Sequence, residues 1–385
     1  MRICLAYDCL YPWTVGGAER WYRSLAERLA ADGHEITYLT RRQWGAADPP
    51  RIPGVRVIAV SRGDELYGPD GRRRIGPPLR FGRGVLGHLL RHGRRYDVVH
   101  LASFPYFSVL AAAAARPLGR YRLVVDHHEV WSREYWRDYL GPLGGALGYA
   151  VQRLCVRVPQ QAVCFSRLHA GRLRAEGLRG EPIVLDGEYA GDLAPPRPRH
   201  AEPLVLVAGR QIPEKRTAVA VAAIARARAR GLDVRGLILG DGPDRALVLS
   251  EIAAHDLEDE VEAPGFVDRE VVDDALRRAL CLLHPSAREG YGLIVVEAAA
   301  QGTPSVVVAG PDNAAVELVE PGVNGLVAPS PDPDELADAL VAIADAGLPL
   351  RERTCAWFAE NAERLSLDAS LDVIAAGYEG EPAHG

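Results

Sequence analysis

The sequence predicts an α/β protein built from two doubly wound, Rossmann-like domains. Short apolar runs alternate with Ala-rich helical stretches through both halves of the chain, the pattern of parallel sheets covered by helices. At 385 residues the chain is long enough to fill two cores. A stretch rich in proline and polar residues, 194–203, separates the halves as a linker does. The expected division is a first domain over 1–192, a linker over 193–203 and a second domain over 204–350. A C-terminal helix and a flexible tail follow over 351–385.

Composition narrows the function. Hydrophobic content of 48% and charged content of 25% are those of a soluble globular protein. A formal net charge of -6 argues against general nucleic-acid binding. No apolar stretch reaches membrane-spanning length. The opening residues are interrupted by Asp8 and read as a first strand, not a signal peptide. Cys4, Cys9, Cys155, Cys164, Cys281 and Cys355 lack metal-ligand spacing, and several sit in apolar runs. They suggest buried thiols in a reducing cytoplasm.

In chain order, residues 3–7 give a strand. Gly16 and Gly17 then precede a helix over 18–30, a turn compatible with phosphate. Residues 36–40 form the second strand. The segment 62–95 is basic, with Arg62, Arg72, Arg73, Arg74, Arg80, Arg83, Arg91, Arg94 and Arg95 against Asp64, Glu65 and Asp70. It reads as a solvated helix and loop, or as a surface for an anionic acceptor or anionic lipid heads. Strands follow over 97–101 and 123–125, with a helix over 103–115 between them. The second of these strands runs into His127 and His128. Adjacent side chains on a strand point to opposite faces, so the pair is not a metal site. Trp131, Tyr135, Trp136 and Tyr139 are either core aromatics or a stacking wall for an acceptor. A strand over 161–166 and a helix over 167–176 end the first half.

The second half opens with a strand over 204–208 and a loop carrying Arg210 and Lys215. Lys215 is the only lysine in the chain. Two cations in one loop beyond a parallel strand suit a diphosphate. A helix over 217–230 and a strand over 236–239 follow, then Gly240 and Gly242 in a tight turn and an edge strand over 261–267. Residues 279–284 form a buried strand, and a helix starts at Leu293 and stops at Gly302 and Pro304. Gly290, Tyr291 and Gly292 lie in the loop between. This strand–loop–helix unit places a ligand at the carboxyl edge of the sheet. Gly290 and Gly292 let the chain's backbone come close to that ligand, and the first helical amides suit an anion. Two carboxylates, Glu289 and Glu297, frame the turn with seven residues between them. An ionised carboxylate only accepts hydrogen bonds, so sugar hydroxyls are its natural partners here. A strand over 305–309 and a helix over 334–346 complete the half.

The 286–304 stretch resembles the Glu-seven-Glu signature of retaining, nucleotide-sugar-dependent glycosyltransferases of family four, with the GT-B fold. The Gly-Arg, four residues, Lys pattern at 209–215 matches the same family, and the resemblance covers nearly the whole chain. It implies two Rossmann-like domains facing across a cleft, with the donor held mainly by the second. Within that family pattern, Gly16 and Gly17 meet the donor diphosphate, and Arg210 and Lys215 clamp it. Gly240 and Gly242 lie beside the nucleotide, and the base rests on the backbone at Gly265-Phe266-Val267. Gly290, Tyr291, Gly292 and Leu293 line the donor, Glu297 holds the ribose and Glu289 the donor sugar. His128, at the end of its strand, contacts the sugar near the reacting carbon. The final helix crosses back to the first domain and buries Trp357, Phe358 and Tyr378. The turn at 310–317 departs from the family's Gly-Gly-x-x-Glu form, so the donor sugar does not carry over, although Glu317 can keep the family's Glu.

The expected function is hexosyl transfer from a nucleoside-diphosphate sugar to a hydroxyl acceptor, with retention of anomeric configuration. No metal and no cofactor are expected beyond the sugar nucleotide as co-substrate. The acceptor is a glycan, a lipid-linked molecule or a small molecule, and the location is cytoplasmic, with peripheral membrane contact through 62–95 open. Two competing readings are a nucleotide-sugar epimerase or dehydrogenase on a similar scaffold, and a non-catalytic sugar-nucleotide binder. The dehydrogenase lacks a Gly-x-Gly-x-x-Gly after the first strand. The intact set Arg210, Lys215, Glu289 and Glu297 speaks against a pure binder.

Overall fold

The structure is a computed structural model describing residues 1–45, 47–66, 74–194 and 196–379. The chain divides into two compact units, 1–185 with 370–385, and 186–369. The division falls at 185, upstream of the proline-rich stretch, so residues 186–192 belong with the second unit rather than the first.

The first unit contains β1 (Arg2–Ala6), α1 (Gly17–Ala31), β2 (Glu35–Arg41), β3 (Val55–Ser61), α2 (Gly76–His92) and β4 (Val98–Ala102). It continues through α3 (Tyr106–Gly119), β5 (Arg122–His127), α4 (Arg133–Val156), β6 (Gln161–Cys164), α5 (Arg167–Glu176) and β7 (Ile183–Val184). Its seven strands are ordered β3-β2-β1-β4-β5-β6-β7, and every pairing is parallel. Inner strands of such a sheet are covered on both faces, which is why Ile3, Cys4 and Leu5 form an unbroken, fully buried apolar run. The Ser166 hydroxyl accepts from the His169 amide to cap α5.

The second unit runs through β8 (Leu204–Ala208), α6 (Thr217–Ala229), β9 (Arg235–Leu239), α7 (Arg245–Ala254), β10 (Val261–Gly265) and α8 (Arg269–Arg278). Then come β11 (Cys281–His284), β12 (Arg288–Glu289), α9 (Leu293–Ala300), β13 (Ser305–Val308), β14 (Asp312–Asn313), β15 (Gly325–Ala328) and α10 (Pro333–Asn361). The main sheet is β10-β9-β8-β11-β13-β15, again all parallel. Its core joins Val205, Val207, Leu283 and Val306 of the sheet to Ala220 and Ile224 of α6 and Leu336 and Leu340 of α10. The last helix, α11 (Leu367–Glu379), begins in the second unit and ends in the first.

The strand order reverses between β1 and β4 in one sheet and between β8 and β11 in the other. At such a point the connecting loops diverge to opposite faces and leave a crevice at the carboxyl ends of the strands. The sequence motifs of the second half fall on the loops that leave β8 and β11.

The C-terminal expectation needs correction. Trp357 and Phe358 are buried within the second unit. The Trp357 indole donates to Glu320 at 2.8 Å, and Phe358 packs edge-on against Tyr189. Only Tyr378 of the three aromatics lies in the first unit, hydrogen-bonded to His100. A break at Gly347, with φ 50°, ends the first part of α10, while the second unit runs on to 369, past the boundary at 350 expected from the sequence.

Candidate active site

The loop after β8 carries Arg210 and Lys215, and the turn after β9 is folded directly onto it. The Gln211 amide donates to Asp241 O at 2.9 Å, and the Gln211 side chain donates to Gly240 O at 2.9 Å. Gly240 and Gly242 make this approach possible. A Cβ on either would stand 1.9 Å from Gly209 O or 2.2 Å from Gln211 O, and both have positive φ (123° and 158°). The Gly240 amide in turn donates to Gly265 O at 2.8 Å, which sets the 265–267 backbone, including Val267, beside the same turn. Arg210 is exposed and has no ion pair among the described residues.

The loop after β11 joins the loop after β8 through the Ala287 amide, which donates to Glu214 O at 2.8 Å. Glu289 was expected in an open loop. It lies instead in β12, a two-residue strand paired with β14, so its backbone is fixed. Its carboxylate is buried and accepts from both the Lys215 ammonium and the His284 ring. The His284 Nε2 is 2.7 Å away. Burial alone raises a carboxyl pKa, but the Lys215 charge and the His284 contact outweigh it and hold Glu289 well below the usual carboxylate range.

Gly290, Tyr291 and Gly292 carry the chain from Glu289 into α9. The Tyr291 hydroxyl donates to Asp186 O at 2.7 Å, pinning the middle of the turn. Gly292 has φ 101° and precedes Leu293, the first residue of α9. The amides of this first turn have no helical acceptor. Glu297 follows in α9, buried, and accepts from the Arg269 guanidinium at the start of α8. Arg269 also donates to Asp273 at 2.8 Å.

The second unit therefore carries Arg210, Lys215, Gly240, Gly242, Val267, Gly290, Tyr291 and Gly292 on the loops that follow β8, β9, β10 and β11, with Glu289 in β12 and Leu293 and Glu297 in α9. Two of their partners were given no role from the sequence. His284 was read only as the end of an apolar strand. Arg269 carried no local signal, since its contact with Glu297 spans 28 residues.

Gly16, Gly17 and His128 belong to the first unit. Gly16 precedes α1 and Gly17 opens it. His128 follows the end of β5, and its ring stacks on Phe165 at 4.6 Å and 7°. Its Nε2 is buried without a hydrogen-bond partner. On the same face of the strand, buried Asp126 accepts from His100 Nε2 at 2.7 Å and Trp21 Nε1 at 2.8 Å. His127 faces the other way and contacts Gln160 at 3.0 Å. Burial pushes both His127 and His128 down to about 4, against the opposing pull of Asp126. Trp136 is buried and Trp131 partly so, in a cluster with Phe104 and Tyr106. In the basic segment, Arg62, Arg80, Arg83 and Arg91 line an open groove of about 850 Å³. Asp70, Arg72 and Arg73 lie outside the described residues. All six cysteines are buried and free.

Comparison with known proteins agrees with this layout. A family model described as Glycosyl transferases group 1 matches residues 193–363, and one described as Glycosyltransferase Family 4 matches residues 15–185. The chain belongs to the family-four glycosyltransferases. An alpha-D-kanosaminyltransferase of Streptomyces kanamyceticus is 34% identical over 181 residues, 46% of this chain and 45% of that protein, so this match spans about half of each. A D-inositol 3-phosphate glycosyltransferase of Xylanimonas cellulosilytica is 29% identical over 404 residues, covering 96% of this chain and 94% of the relative. Among solved structures, sucrose-phosphate synthase from Thermosynechococcus elongatus superposes with a TM-score of 0.77 at 20% identity, covering 98% of both chains. Anabaena HepE in complex with UDP-glucose does so with a TM-score of 0.70 at 18% identity, covering 98% of this chain and 99% of the other. Both likenesses are of fold. This glycosyltransferase has the two parallel-sheet domains of the GT-B class. No helix among its described residues is long and apolar enough to cross a membrane.

Proposed function

We propose that this glycosyltransferase moves a sugar from a nucleoside-diphosphate sugar to a hydroxyl acceptor, with retention of configuration and without a metal ion. The observation that carries the reading is the meeting of Lys215 and Glu289 at the β8/β11 reversal. A diphosphate needs cations and a sugar needs hydrogen-bond acceptors, and here one of each is held in contact. In HepE, a structure of the same fold was obtained with UDP-glucose, which supports a donor of this class.

Arg210 and Lys215 stabilise the charge that develops on the leaving diphosphate. A preorganised donor in such a site lowers the barrier by roughly 2–4 kcal/mol. The first-turn amides of α9 add to the same anion site. Glu297 takes the ribose hydroxyls and Glu289 the donor-sugar hydroxyls; His128 keeps the sugar-contact role that the family resemblance implies for it. Burial keeps the His128 ring neutral near pH 7, so it acts as a hydrogen-bonding group rather than a cation. No carboxylate among these residues is assigned as a base or a nucleophile. The acceptor hydroxyl therefore attacks on the face the diphosphate leaves, and its proton passes to the departing phosphate oxygen.

The test is turnover of a panel of nucleoside-diphosphate sugars, UDP-glucose included, with and without sugar acceptors. Acceptor-dependent release of the nucleoside diphosphate supports transfer. Acceptor-independent isomerisation of the sugar nucleotide supports an epimerase instead, and no turnover of any donor supports a binder.

A further inference from the structure

The Glu289 carboxylate has two hydrogen-bond donors that differ in kind. Lys215 reaches it from a short turn after β8 on a flexible stem with four rotatable carbons, and its side chain is 25% exposed. His284 reaches it from the last position of β11, with a ring that is 4% exposed and sits on a central strand of the sheet. A carboxylate only accepts, so the 2.7 Å contact makes Nε2 the protonated nitrogen of the His284 ring. The Ser286 hydroxyl lies 3.2 Å from the same nitrogen. Ser286 is buried, and its carbonyl accepts from the Asn313 side chain of β14 at 3.1 Å. The ring is thus fixed by the strand that carries it and by the loop that carries its partner.

Lys215 cannot serve Glu289 and a diphosphate equally. Its ammonium is a compact, mobile charge, and two or three phosphate oxygens outbid one carboxylate for it. On the functional reading above, Lys215 turns to the diphosphate when a donor binds. Glu289 then stays in a site where burial works against its charge, with a sugar arriving that needs it ionised and aimed.

We propose that His284 is the positioning residue for Glu289, holding the carboxylate in place when Lys215 leaves it for the donor diphosphate. This rests on the proposed donor roles of Lys215 and Glu289 and goes beyond them. His284 touches neither substrate nor reacting atoms; it acts through Glu289. The exchange gives the site a loaded and an unloaded arrangement that differ in the lysine alone. The groups facing the carboxylate are Lys215 and His284, with the Arg288–Glu214 pair, 3.5 Å apart, next along the loop.

The departure of the lysine is mimicked by Lys215→Ala, which needs no ligand. The Glu289 carboxyl is followed by ¹³C NMR of protein labelled at glutamate, its resonance assigned by comparison with Glu289→Gln. In Lys215→Ala, the midpoint should stay at or below the ordinary value of about 4.3. In Lys215→Ala with His284→Phe, burial is unopposed and the midpoint should rise by at least about one pH unit. His284→Gln places an amide where Nε2 stood and should bring most of the shift back. His284→Asn, whose amide stops at the Nδ1 position, should not, and it replaces the Phe variant if that protein does not fold. Equal midpoints with and without the ring donor would overturn the proposal. If the intact enzyme turns over no nucleotide sugar, the proposed function fails while the titration still decides whether His284 holds Glu289.

Discussion

Lys215, the only lysine in the chain, donates a hydrogen bond to Glu289, the first of the two carboxylates spaced by seven residues. The two motifs that stood apart in the sequence are one ionic contact in the folded second unit. Without a donor the pair neutralises itself. On the proposed function, a bound donor offers phosphate oxygens to Lys215 and sugar hydroxyls to Glu289.

Removing either cation of the proposed clamp should therefore cost transition-state stabilisation. For Lys215→Ala and for Arg210→Ala, kcat/KM should fall by roughly 2–4 kcal/mol, a loss of about thirty- to a thousandfold. Steady-state kinetics on the donor identified by the turnover screen measures it. Near-normal kcat/KM in both variants would remove the clamp.

Glu297 should behave differently. A ribose contact is made in the ground state and the transition state alike, so Glu297→Ala should raise the donor KM with little change in kcat. Its partner Arg269 would keep Asp273 as a second anchor, so the fold around α8 should survive. A large fall in kcat at unchanged KM would move Glu297 to the reacting centre.

Activity should persist in excess chelator. In this account Arg210 and Lys215 supply the positive charge that a metal supplies elsewhere. Loss of turnover in EDTA, restored by Mg²⁺ or Mn²⁺, would contradict it.

His127 and His128 should titrate near 4, since burial disfavours their charged forms. With folded values below the unfolded value of about 6.5, the unfolded chain binds more protons between pH 6.5 and 4. Stability supplied by these rings should thus fall as pH drops through that window. Glu176, raised to about 7 by burial, works in the opposite direction between about 4.5 and 7. Ring-resolved NMR titration separates the three groups. A midpoint above about 7 for His128, with the ring then largely charged at neutral pH, would contradict a neutral ring at the sugar contact.

Much of this was legible because parallel strands are covered on both faces and leave unbroken apolar runs. The strand at 204–208 and the helix at 167–176 match the structure residue for residue. Of the elements that were not, two are instructive. α4 carries Gly141-Pro142 and further glycines, which hide its helical pattern, and Gly141 is indeed non-helical at φ 74°. β3 is a half-buried edge strand with Arg56 inside its apolar run, and the sequence alone leaves it unassigned. At the site, the loop positions of Arg210, Lys215 and the glycines followed from strand ends and turn chemistry. His284 and Arg269 did not, because their importance lies in contacts with Glu289 and Glu297 that only the folded sheet creates. The pairing of β12 with β14, which fixes Glu289, is invisible for the same reason.

The stereochemistry of transfer separates same-face attack from displacement assisted by a side-chain base. The anomeric proton of the transferred sugar should show in ¹H NMR of the fresh product the same configuration it had in the donor. That outcome fits attack on the face vacated by the diphosphate, with Arg210 and Lys215 holding the leaving group and no side chain acting as base. A product with inverted configuration would require a base on the opposite face and would contradict the account.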